Sequence, residues 1–105
     1  MNLALFGATG GTGRCILSQA LQNGDHNIRA LVRSPSKLQI KDPKLDIING
    51  NILERKDVHK TISGTDGVLS VLGNTGNNPS DLHTKGTQHL LSGMDYHNVN
   101  RIVIL

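Results

Sequence analysis

The chain has 105 residues, enough for a single domain with one core. Its net charge of +3 is modest and its Lys and Arg are scattered; with one Phe, one Tyr and no Trp it lacks a platform for stacked bases, so nucleic-acid binding is not expected. No apolar run approaches a membrane span and no signal peptide is visible, so a cytoplasmic protein with no membrane partner is expected.

The apolar run Leu3-Ala4-Leu5-Phe6 reads as a short buried first strand. Gly7-Ala8-Thr9-Gly10-Gly11-Thr12-Gly13 follows it directly. Cys15, Ile16, Ala20 and Leu21 then recur at helical spacing, which places Cys15 as a core thiol on the apolar stripe of the first helix. Asn23-Gly24 stops that helix. Residues 27–32 read as the second strand, ending in Arg33, and Ser34-Pro35-Ser36-Lys37 starts a short helix or turn. Residues 45–48 form the third strand, closed by Asn49-Gly50. Val58 and Ile62 mark a helical stretch that ends near Gly64. Residues 68–72 are the fourth strand, ended by Gly73, and a polar Gly- and Asn-rich loop follows. Leu82, Leu90, Leu91 and Met94 predict a long helix over 80–96, and residues 102–105 a fifth strand.

Strands alternating with helices predict an α/β fold, a Rossmann-type doubly wound parallel sheet over residues 1–105. The expected strand order is 3-2-1-4-5, with a ligand crevice between the first and fourth strands. A sixth strand and a substrate lobe normally follow the fifth. The sequence is therefore expected to be the N-terminal part of a longer protein, truncated after strand five, with an unshielded apolar edge there.

The glycine loop carries the functional signal. It fits neither G-x-G-x-x-G nor a P-loop, but it does fit G-x-x-G-x-x-G at Gly7, Gly10 and Gly13. Gly7 allows a tight exit from the strand, Gly10 lets a pyrophosphate approach the backbone, and Gly13 lets the helix pack closely on the strand. The free N–H groups and dipole at the helix start attract the anion. Thr9 and Thr12 add hydroxyls that cap the helix or touch phosphate. At the end of the second strand, where an NAD-binding fold carries Asp or Glu for the ribose 2′-hydroxyl, stands Arg33, followed by Ser36 and Lys37. A guanidinium can grip a 2′-phosphate in a bidentate contact, so NADP(H) is favoured over NAD(H). Arg29 lies four residues back along the strand and is not expected to belong to this site. Asn51 and Ile52 fall where adenine should rest, and Gly73 and Asn74 beside the inner ribose; each could equally be a turn residue.

Phe6-Gly7-Ala8-Thr9-Gly10-Gly11-Thr12-Gly13, Ala30-Leu31-Val32-Arg33, Gly50-Asn51-Ile52-Leu53, Asp57-Val58, Lys60-Thr61 and Val71-Leu72-Gly73 resemble atypical short-chain dehydrogenases/reductases of the NAD(P)H-binding, NmrA-like group, flavin reductases among them. The resemblance implies a pyrophosphate site at Gly7, Thr9, Gly10, Gly11 and Thr12. It implies a 2′-phosphate site at Arg33, Ser36 and Lys37, adenine between Asn51 and Ile52, and the inner ribose near Gly73 and Asn74. It also implies hydride transfer to a flavin or tetrapyrrole-like small-molecule acceptor. The chain departs from the group in carrying Asn51 for the usual Asp and His83 for an apolar residue. It also lacks the later segment that supplies a serine near the nicotinamide.

Other chemistries find no support. The five histidines show no i, i+4 pair and no partnering Cys or carboxylate cluster, so no metal site is expected. Ser70 lacks the G-x-S-x-G elbow of a hydrolase. Tyr96 is followed four residues on by Asn100, so the Tyr-x-x-x-Lys acid of short-chain dehydrogenases is missing and no catalytic residue is assigned. A non-catalytic NADP(H)-sensing or scaffold protein uses the same loop and remains the alternative to an oxidoreductase.

Overall fold

A computed structural model describes residues 1–8, 11–38, 40–71 and 79–104. Five strands, β1 (Asn2–Phe6), β2 (Asn27–Val32), β3 (Leu45–Asn49), β4 (Gly67–Ser70) and β5 (Ile102–Ile104), form one sheet in the order β3-β2-β1-β4-β5. Every pairing is parallel: Phe6 lies opposite Leu31 on one side and Ser70 on the other, and Val32 lies opposite Asn49. This is the expected Rossmann-type topology, with all strand C-termini, and hence the loops that follow them, at one edge of the sheet.

Strand alternation builds two cores. Leu5, Ile28, Ala30 and Val32 point to the face covered by α1 (Gly11–Asn23) through Leu17. Ala4, Phe6, Leu31 and Val68 point to the opposite face, where α2 (Arg55–Ile62) contributes Val58 and Ile62, and α3 (Pro79–Tyr96) contributes Leu90 and Met94. α1 stops as the sequence predicts: Gly24 takes a φ of 80° and donates its N–H to the Leu21 carbonyl. A short 3-10 helix, Pro35–Lys37, follows β2 in place of a full crossover helix. β5 closes one edge of the sheet with Val103 exposed.

One expectation is overturned. Cys15 is exposed rather than a core thiol. The face of α1 that meets the sheet is set by Gly13 and Leu17, both buried. Cys15 stands two residues from each, which is about 200° around the helix axis.

Arg29 explains how α2 is anchored. It alternates with Ile28 and Ala30 and so projects from the α2 face of β2. Its guanidinium donates to the carbonyls of Lys60 (3.3 Å), Thr61 (3.3 Å) and Ser63 (2.6 Å) at the C-terminal end of α2. The orphan carbonyls of that last turn thus receive a charged donor at the negative end of the helix dipole. Asp46 on β3 pairs with the same guanidinium at 3.6 Å.

Candidate functional site: the glycine turn and its neighbours

β1 ends at Phe6, and the chain turns at once through Gly7, whose φ of 94° favours a residue without Cβ. α1 starts at Gly11, and no acidic residue stands in its first turn, so nothing there offsets the positive end of the helix. A Cβ built on buried Gly13 would lie 2.0 Å from the Gly7 carbonyl oxygen and 2.8 Å from its carbon. Helix and turn are thus in direct backbone contact, the arrangement read from the 7-10-13 spacing. Thr9 and Gly10 lie outside the described residues, as does the Thr12 side chain.

The next two loops emerge beside this turn. Arg33 follows Val32 immediately and is exposed, and Ser36 is exposed on the 3-10 helix; the Lys37 side chain lies outside what is described. The Gly50 N–H bonds the Val32 carbonyl at 3.1 Å, which brings the loop after β3 alongside Arg33. Asn51 and Ile52 are half-buried there, and Ile52 packs against the α2/α3 core. Asn51 is in part a turn residue: its side-chain oxygen accepts the Leu53 N–H at 2.9 Å. Gly73 and Asn74 lie outside the described residues, and so does the His83 side chain.

Two residues that hold this turn were not singled out from the sequence. The Asp57 carboxylate, in the first turn of α2, accepts the Asn51 N–H at 3.0 Å. On α3, His89 donates from Nδ1 to the Ile52 carbonyl at 2.9 Å. The only prior signal was Asp57 within the run that carries the family resemblance; His89, 37 residues from its partner, gave none.

A second concave region, about 950 Å³, lies over the outer face of α2, lined by Ile48, His59, Lys60 and Tyr96 among others. His59, Tyr96 and His97 cluster there with ring centroids 4.9–5.6 Å apart, and His59 Nε2 lies 3.3 Å from the Ser92 hydroxyl. Desolvation by burial, then the Arg55 charge and the neighbouring His97 and His89, push the His59 pKa below its ordinary value. None of the described residues assigned to a cofactor lines this region. No group of three or more His, Cys, Asp or Glu among the described residues is placed to hold a metal ion. Among them, too, no helix is long and apolar enough to cross a membrane.

The residues present fit a dinucleotide. The helix starts against the turn with no acidic residue in its first turn, a Cβ on Gly11 would meet nothing within 4 Å, and a cation without an acidic partner among the described residues stands at the end of the neighbouring strand. A family described as NAD(P)H-binding matches residues 7–105, nearly the whole chain. The chain belongs to that NAD(P)H-binding family. Solved structures agree on the fold. An oxidoreductase from Lactococcus lactis superposes with a TM-score of 0.85 at 20% identity, over 99% of this chain and 47% of that one. A Rossmann-fold NAD(P)-binding family protein from Shigella flexneri gives 0.81 at 22%, over 96% and 49%. A variant of uronate dehydrogenase from Agrobacterium tumefaciens, complexed with NAD, gives 0.80 at 22%, over 98% and 39%. The chain thus spans less than half the length of these neighbours.

Proposed function

We propose that this chain is the NADP(H)-binding part of a cytoplasmic oxidoreductase of the flavin-reductase type, similar to biliverdin reductase B, with a flavin or tetrapyrrole as electron acceptor. The observation that carries the NADP(H) reading is Arg33. It is exposed at the end of β2, beside the glycine turn and the Gly50–Asn51 loop, where an acidic residue would instead select NAD.

In this reading Gly7, Thr9, Gly10, Gly11 and Thr12 cradle the pyrophosphate at the start of α1, with Gly13 holding the helix against the turn. Arg33, Ser36 and Lys37 take the 2′-phosphate, Asn51 and Ile52 flank adenine, and Gly73 and Asn74 border the inner ribose. Bound NADPH supplies a hydride. The protein's share is to orient the dinucleotide and fix which acceptor can approach, which requires no catalytic acid in these residues.

The test is NADPH oxidation by the intact protein with flavin mononucleotide and with biliverdin. Turnover with either supports the reductase, and the faster acceptor defines its class. Tight NADPH binding with no turnover of either would instead favour the sensing or scaffold role, which needs the same loop but no acceptor. Failure to bind NADPH would overturn both.

A further inference from the structure

The turn that follows β3 is gripped from two helices. Asp57 at the start of α2 accepts the Asn51 N–H at 3.0 Å. His89, midway along α3, donates to the Ile52 carbonyl at 2.9 Å. The grip leaves little slack: a Cβ on Gly50 would lie 2.7 Å from the Asp57 carboxylate and 2.9 Å from the Leu31 side chain. Asn51 then closes the turn on itself through Leu53. The backbone of three successive residues, Asn51, Ile52 and Leu53, is therefore tied to α2, to α3 and to its own loop. Each of these bonds uses a side chain, so none belongs to the ladder of the sheet or of either helix.

Resting on the reading that Asn51 and Ile52 border adenine, we propose that Asp57 and His89 are positioning residues. They fix the backbone of this turn so that its exposed groups meet the adenosine end of the dinucleotide. Their effect falls on the adenosine half of the ligand and spares the nicotinamide half, because the turn follows β3, the edge strand that β2 and β1 separate from β4. Removing either side chain lets the turn sample other conformations, and the ligand must then restore the bound one at a cost in affinity.

The experiment compares the protein with H89A, H89N and D57A in titrations with 2′,5′-ADP, nicotinamide mononucleotide and NADPH, with thermal unfolding alongside. Asn places an amide N–H where His89 Nδ1 stands, so H89N tests rescue. H89A and D57A are expected to weaken 2′,5′-ADP and NADPH by about fivefold or more, the cost of leaving one hydrogen-bonding group unmet. H89N is expected to recover most of the H89A loss. Nicotinamide mononucleotide should bind all four proteins alike. If H89A and H89N both bind 2′,5′-ADP as the unaltered protein does, the positioning role is wrong and the cofactor reading stands. An equal loss for both half-ligands, tracking a fall in unfolding temperature, would mean that these residues only stabilise the fold. If the unaltered protein binds neither 2′,5′-ADP nor NADPH, the cofactor reading itself fails and this proposal with it.

Discussion

Gly13 and Gly11 stand two residues apart and have opposite requirements. Any side chain at Gly13 meets the Gly7 backbone, which cannot swing aside as a side chain would. Gly13→Ala should therefore lower unfolding free energy by about 1–3 kcal/mol, as overpacking does. A Cβ on Gly11 meets nothing within 4 Å, so Gly11→Ala should leave stability unchanged or raise it by up to about 1 kcal/mol. Chemical denaturation of the two variants checks both, and equal losses would contradict the packing argument. The Gly7 and Gly13 roles were legible in the sequence because they are local and steric: a strand running into a helix leaves room only for glycine. Cys15 was misread because apolar character alone does not say which side of a helix faces the sheet. Asp57 and His89 escaped notice because their partners are fixed by the fold, not by neighbouring residues.

The elements that carry no predicted cofactor contact have their own tests. Arg29 bonds three carbonyls at the end of α2 with a side chain only 33% exposed. Arg29→Ala should cost about 1.5–3 kcal/mol, the usual worth of hydrogen bonds to a charged group. It should do so without changing any preference between NADPH and NADH, which sets it apart from Arg33. The contact between α2 and α3 should also respond to acid. In the unfolded chain His59 takes up its proton near 6.5, whereas in the fold burial and Arg55 delay uptake to lower pH. The unfolded state therefore binds more protons just below 6.5. Stability should be full above that pH and fall as the pH drops through it. In His59→Gln the fall should be shallower, and thermal midpoints from pH 7.5 down to 5 read the difference. An unchanged acid limb would show that another group controls it. The limits of β2 and the stop of α1 were readable from turn residues. The His59–Tyr96–His97 cluster was not, since it joins two helices whose relative placement depends on the whole sheet.

At the scale of the molecule, hydrophobic alternation and strand–helix alternation together specified the sheet order, because parallel strands with right-handed crossovers leave few other arrangements. No residue of the sequence was assigned to an acceptor, and the chain spans less than half the length of its structural neighbours. For the same reason the 105-residue chain alone is expected to oxidise NADPH with flavin mononucleotide near the background rate, and brisk turnover in a steady-state assay would refute this. Cofactor choice turns on Arg33, at the end of β2. A charge-assisted contact to phosphate is worth about 1.5–3 kcal/mol, or roughly 10- to 150-fold in affinity. Part of that preference is Coulombic at an exposed site and should shrink with added salt. The most direct measurement is a fluorescence titration of NADPH and NADH against the protein and its R33A variant. NADPH should bind more tightly than NADH to the unaltered protein, and R33A should weaken NADPH far more than NADH. Equal losses for the two cofactors would mean that Arg33 supports the fold instead of reading the 2′-phosphate, and would contradict the assignment to NADP(H).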